Sequence, residues 1–159
     1  MQEIHIENHK NFILEGHILT YDCYFIDSPS YDVGSSEKTF KLILARWASA
    51  LSRERADGQT FIFPFSPDDE WTDALKGIID GSSIILTRVI LCVPGFGIDF
   101  ENLEDFIIAP KALFSDSTPA TLDDVEESMS FELIVDIEEF IEKLQNARLI
   151  DRDAESTFS

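Results

Sequence analysis

Residues 37–55, EKTFKLILARWASALSRER, carry the clearest structural pattern in the chain. Their large apolar side chains recur at the spacing i, i+3, i+4, i+7 and i+11, which places them along one face of an α-helix: Phe40, Ile43, Leu44, Trp47 and Leu51. Glu37 suits the first turn and Arg53 and Arg55 suit the last, because these charges are favourable at the respective ends of the helix dipole. The stretch predicts an amphipathic helix over 37–55, with Gly58 as its C-terminal stop.

Segments rich in aromatic and β-branched residues flank this helix on both sides. Residues 12–26 are interrupted by one glycine and predict either one bent strand or a tight hairpin. Residues 60–65, TFIFPF, predict a second strand, and residues 83–93 predict a longer one. The dipeptide Asp80-Gly81 before the longer strand is typical of a hairpin turn. Residues 74–79 are too short an apolar run to be assigned to helix or strand by periodicity.

The last third of the chain predicts a strand over 131–135 followed by an amphipathic helix over 136–147. Four apolar residues of that helix share one face: Ile137, Phe140, Ile141 and Leu144. Several strands with a few helices favour the α+β class, with helices packed on one face of a mostly antiparallel sheet. We expect a single domain over 1–150 and a frayed polar tail over 151–159.

The charge of the chain excludes some functions. Its 159 residues include 31 acidic and 12 basic side chains, for a formal net charge of −19. Such a surface repels nucleic-acid phosphates and anionic lipid headgroups, so we expect neither nucleic acid nor a membrane as a partner. The 13 phenylalanines and a hydrophobic fraction of 44% nevertheless supply the material of a folded core.

The ends and the cysteines of the chain favour a reducing compartment. The N-terminal residues MQEIHIENHK lack the basic and apolar parts of a signal peptide. The apolar stretch 84–93 is too short to span a bilayer. Cys23 and Cys92 form no CxxC motif, and we expect both to be small buried hydrophobic residues, although spacing alone leaves a disulfide open. A cytoplasmic protein is the expectation that fits these features.

The sequence contains no catalytic or cofactor motif. A GxSxG nucleophile elbow, a GxGxxG loop and a phosphate-binding GxxxxGK[ST] loop are all missing, so we predict neither an enzyme nor a bound cofactor. Glu3, His5, Glu7 and His9 alternate along one face of an N-terminal strand, which is a weak metal-ligand pattern. We predict instead that this face is solvated and binds no metal, and that His17 is a hydrogen-bonded strand residue.

Acidic residues are concentrated in one segment. Residues 99–139 hold 13 acidic side chains and one basic side chain, whereas residues 36–60 carry an excess of two basic side chains. This concentration either keeps the protein soluble or provides a surface for a basic partner. We predict a partner-binding surface formed by two clusters, with the Trp as an aromatic anchor: Asp123, Asp124, Glu126 and Glu127 in one, and Asp68, Asp69, Glu70, Trp71 and Asp73 in the other.

In its overall character the chain resembles bacterial immunity proteins, the antidotes encoded beside polymorphic or contact-dependent toxins. The resemblance rests on a small, acidic, phenylalanine-rich α+β chain and on TFIFPFSPDDEW at 60–71, a strand that leads into an acidic turn and a Trp. It implies one-to-one binding that occludes a cognate toxin, often a basic nuclease, but no particular fold. Two other classes remain open: a small acidic secretion-type chaperone, which would be a homodimer, and an inhibitor that mimics nucleic acid.

Overall fold

The computed structural model describes residues 1–7, 10–22, 36–53, 55–67, 72–91, 100–109 and 125–150. The predicted α+β class is confirmed, with three helices and eight strands in this part of the chain. In chain order the elements are β1 (His5–Glu7), β2 (Asn11–Leu14), β3 (His17–Thr20), α1 (Ser36–Ser52), β4 (Thr60–Pro67), β5 (Thr72–Asp80), β6 (Ser83–Leu91), α2 (Leu103–Ile108), β7 (Val125–Asp136), α3 (Ile137–Gln145) and β8 (Arg148–Ile150).

The strands are divided between two four-stranded sheets. The small sheet has the order β3-β2-β1-β8, and the large sheet has the order β4-β5-β6-β7. All pairs are antiparallel except β1 with β8, which is parallel. The large sheet is a meander of consecutive strands, whereas the small sheet joins the two ends of the described chain.

Residues 11–20 form a tight hairpin, the second of the two forms expected for the segment 12–26. Glu15 and Gly16 connect β2 to β3 and both have positive φ, at 49° and 81°. Two consecutive left-handed residues define the type I′ turn, whose twist matches that of the paired strands. The residues that follow Asp22 in this segment, Cys23 included, lie outside the described part of the chain, as do Cys92 and the tail 151–159.

Helix α1 supplies the centre of the core, as its apolar stripe predicts. All five stripe residues are at most 1% exposed. Phe40 lies 4.9 Å from Phe12 of β2, ring centre to ring centre, and Trp47 lies 5.1 Å from Phe63 of β4. The helix therefore contacts both sheets. Phe140 of α3 also contacts Phe63, at 6.1 Å, so α1 and α3 pack on the same face of the large sheet.

Helix α1 ends earlier than predicted, and its stop is different. It ends at Ser52 rather than at residue 55, and Arg55 donates a hydrogen bond back to the carbonyl of Leu51. Gly58 does not cap the helix; its φ of +80° lies in the turn before β4, and its N–H donates to the carbonyl of Ile79 at 2.8 Å. The side chain of Arg55 therefore satisfies a carbonyl group at the end of the helix, which is the role predicted for a glycine cap.

Residues 74–79 and the residues just before 131 belong to strands of the large sheet. Residues 74–79 belong to β5, which pairs with β4 and β6 along its length. The strand predicted over 131–135 begins earlier, at Val125, and continues directly into α3. Asp136 caps that helix by accepting a hydrogen bond from the N–H of Glu139 at 3.1 Å. No helix in the described ranges is long and apolar enough to cross a membrane.

Candidate functional site

The structure describes three of the nine residues predicted for partner binding. Asp68, Asp69, Glu70, Trp71, Asp123 and Asp124 lie outside the described part of the chain. Glu126 and Glu127 lie on β7, opposite Ile90 and Val89 of β6. Asp73 lies on β5 and forms an ion pair with Arg88, with 3.2 Å between its Oδ1 and the guanidinium Nη2. Asp73 is therefore already engaged within the fold.

Three acids of the segment 99–139 are paired with arginines that lie on or just beyond α1. Arg46 Nη1 lies 2.9 Å from Oε2 of Glu104, which belongs to α2. Beyond the helix end, Arg53 lies 3.7 Å from Asp105 of α2, and Arg55 lies 3.0 Å from Glu138 of α3. The basic excess of residues 36–60 thus neutralises acids on α2 and α3. The sequence shows both charge distributions but contains no signal that they meet in the fold.

Glu104 is the most strongly held of these acids. Partial burial raises the pKa of its carboxyl group, but hydrogen bonds from Ser49 and Arg46 and the positive charges of Arg46 and Arg53 outweigh this effect, so the pKa is lowered. The guanidinium of Arg46 also lies 4.5 Å from the ring centre of Phe100, a cation–π contact. These contacts lock α2 against α1, and Glu104 serves the fold rather than a surface for a partner.

Four further acids of the segment lie on β7: Glu126, Glu127, Glu132 and Asp136. Glu132 is exposed, and among the described residues no basic side chain forms an ion pair with it. Glu126 and Glu127 lie on the same strand, and Asp123 and Asp124 precede it directly in the sequence. In the described chain β7 has a hydrogen-bonded neighbour on one side only, β6. Four acidic residues are therefore located on one edge strand of the described chain.

The N-terminal metal-ligand pattern does not form a common solvated face, which contradicts our expectation for Glu7. Glu7 is 1% exposed, and His9 lies outside the described part of the chain. His5 is half-buried, with Nε2 3.3 Å from Oε2 of Glu3. No group of three or more His, Cys, Asp or Glu side chains in the described ranges is arranged to hold a metal ion.

His17 lies in a strand, as expected, and its ring contacts an aromatic residue of the other sheet. It is paired with Leu14 in the β2–β3 hairpin. Its imidazole is exposed and lies 4.4 Å from the ring of Phe131 on β7, in an edge-to-face arrangement. This contact connects β3 of the small sheet to β7 of the large sheet.

The chain matches no protein-family model, and comparison with curated proteins and with solved structures finds no similar protein.

Proposed function

We propose that this chain is a binding protein of the immunity type, which neutralises a basic bacterial toxin by occluding its active site. The observation that carries the proposal is the distribution of the acids. Glu104, Asp105 and Glu138 on α2 and α3 are paired with arginines, whereas the exposed Glu132 on β7, the strand that also carries Glu126 and Glu127, has no basic partner among the described residues. The partner in this proposal is a basic protein, and the protein acts by binding without a catalytic step.

The physical argument is one of association rate. A negatively charged edge of this kind attracts a positively charged partner and raises the rate of encounter, an effect that falls steeply with ionic strength. Rapid capture suits an antidote, because a free toxin damages the host until it is bound. The apolar neighbours of these acids would then supply the buried contacts that set the lifetime of the complex.

The experiment uses the toxic domain encoded beside the gene, produced with and without this chain. Survival of the producing cells and the association rate at low and at physiological salt are the two measurements. The test variant replaces Glu126, Glu127 and Glu132 with Gln. We expect its association rate to fall about tenfold at low salt and to become less sensitive to salt.

The matched control removes the same number of charges elsewhere, with Glu3→Gln, Asp80→Asn and Glu142→Gln at three exposed positions. It preserves the change in net charge while leaving β7 intact, so we expect a rate within about twofold of the parent. Equal rates for the two triple variants would show that only net charge matters and would refute a binding surface on β7. Failure of the parent chain to protect cells would refute the immunity proposal itself.

A further inference from the structure

Strand β7 forms one edge of the large sheet, and in the described chain it pairs with β6 alone. Just past its end, the N–H of Ile137 donates to a carbonyl of the turn before β6 at 2.9 Å. The backbone groups of an antiparallel strand point to the same neighbour at every second residue. This bond therefore assigns the N–H and C=O groups of Leu133 and Val135 to β6. Those of Glu132 and Ile134 point to the other side, where the described chain places no strand.

The side chains along this edge alternate between acidic and apolar. Glu132, Ile134 and Asp136 lie on one face of β7, because residues two apart on a strand share a face. All three are exposed, Ile134 to 66%. Ile134 is paired directly with Ile85 of β6, so it ends an apolar row at the edge of the sheet. Asp136 also accepts the capping hydrogen bond of α3.

A contact with the small sheet marks where the open stretch begins. The ring of His17 lies 4.4 Å from that of Phe131, which is 7% exposed. From Glu132 onward the residues on this face are exposed, and after Asp136 the chain enters α3. Five extended residues span about 17 Å, which is the length of an ordinary strand.

A second copy of the chain fits this edge poorly. Antiparallel pairing of two copies about Ile134 would place Glu132 of one copy opposite Asp136 of the partner subunit, and the symmetry would produce this pair twice. Like charges directly opposite each other destabilise a sheet. Charged residues on an edge strand thus oppose pairing with the same strand of another copy. A strand that carries basic residues at these positions meets attraction instead.

We propose that the basic partner binds by adding a strand of its own to β7, with basic residues on either side of an apolar one. Its basic side chains lie opposite Glu132 and Asp136, and its apolar side chain extends the row formed by Ile85 and Ile134. Backbone hydrogen bonds to the open edge supply affinity, and the alternating side chains supply specificity. The inference rests on the proposed function, because it specifies how the toxin is held.

The first experiment measures amide hydrogen exchange by NMR in the free chain and in its complex with the toxic domain encoded beside the gene. We expect exchange at Glu132 and Ile134 to slow at least about tenfold in the complex, because their N–H groups become hydrogen-bonded. Thr60 on β4, the opposite edge of the sheet, is the internal control. The hydrogen bond from Ile79 to the carbonyl of Gln59 directs the N–H of Thr60 away from β5, and its exchange should change less than about twofold.

The outcomes separate this inference from the proposed function. A complex that protects cells while exchange at Glu132 and Ile134 is unchanged would refute strand addition alone. Absence of both a complex and protection would refute the proposed function and strand addition with it. Slowing of the same two amides in the free chain as its concentration rises would show that a second copy occupies the edge, which would overturn the assignment to a basic partner.

The second experiment compares the affinities of three variants for the same toxic domain. Ile134→Pro removes an N–H that points away from β6, and proline is tolerated at such positions of edge strands. We expect it to weaken binding at least about tenfold, and Ile134→Ala, which keeps the N–H, only about threefold. Thr60→Pro at the first residue of β4 should bind within about twofold of the parent.

Equal affinities of Ile134→Pro and Ile134→Ala would show that the backbone of β7 makes no hydrogen bond to the partner and would refute strand addition. Thermal unfolding checks that each variant is folded. If Ile134→Pro does not fold, the exchange experiment decides, because it uses the parent chain.

Discussion

Replacement of Leu44 with Ala tests whether α1 is the centre of the core. Leu44 is fully buried, at 0% exposed, on the face of α1 that contacts both sheets. Truncation removes apolar groups worth about 0.8 kcal/mol for each buried methylene, or about 2.4 kcal/mol in transfer free energy alone. The cavity left behind adds to this loss, which brings the expected decrease in the free energy of unfolding to about 3–4 kcal/mol.

The assay is urea unfolding followed by circular dichroism, with thermal unfolding as a second measurement. For a domain of this length about 1 kcal/mol lowers the melting temperature by about 2–4 °C, so we expect a decrease of about 6–16 °C. Leu42→Ala is the matched control. It makes the same side-chain replacement on the same helix, but Leu42 is only partly buried. A loss below about 0.5 kcal/mol for Leu44→Ala, or an equal loss for both variants, would refute the central position of this stripe.

Three further variants or conditions test the packing and the electrostatics. Gly77→Ala should lower the free energy of unfolding by about 1–3 kcal/mol in a urea melt, because an added Cβ would lie 2.6 Å from Cδ1 of the buried Ile84. An unchanged midpoint of the urea melt would show that the core has room for the added methyl group. Glu104→Gln should cost about 1 kcal/mol at neutral pH. Because the folded-state pKa of Glu104 is lowered, its ion pair stabilises the protein above the pKa of the unfolded chain, and this contribution is lost as the pH falls through the folded-state pKa. The stability difference between parent and variant should therefore shrink in acid melts, and a constant difference would contradict the role assigned to Arg46. A chelator such as EDTA should leave the melting temperature unchanged, and a decrease of several degrees would show that a metal site exists.

The sequence could not show which acids of the chain are already paired within the fold. The density of acids in 99–139 marks the segment as unusual, but it does not distinguish an acid that binds an arginine from one that faces solvent. Glu104 and Glu132 look alike in the sequence. The first is 58 residues from Arg46 along the chain and 2.9 Å from it in the fold, whereas the second lies on an edge strand. Charge counts contain no information about such distances.

Local sequence patterns determined the helices and the first turn, which depend on residues close together along the chain. The apolar stripe of α1, the glycine turn of the first hairpin and the apolar face of α3 all follow from residues within a few positions of each other, because helical and strand periodicities and turn conformations are short-range properties. The fold class follows from the types and order of these elements.

Only the tertiary structure determined the strand pairing, the ion pairs and the strand register, which depend on contacts between segments far apart in the chain. The parallel pairing of β8 with β1 joins the two ends of the described chain. The pairing of Glu104, Asp105 and Glu138 with arginines of residues 46–55, and the alignment of Ile78, Ile85 and Ile134 on one face of the large sheet, depend on packing and strand register. A shift of one residue in register would turn these isoleucines into the core, and no local pattern fixes the register of a strand against a partner formed by residues 125–136.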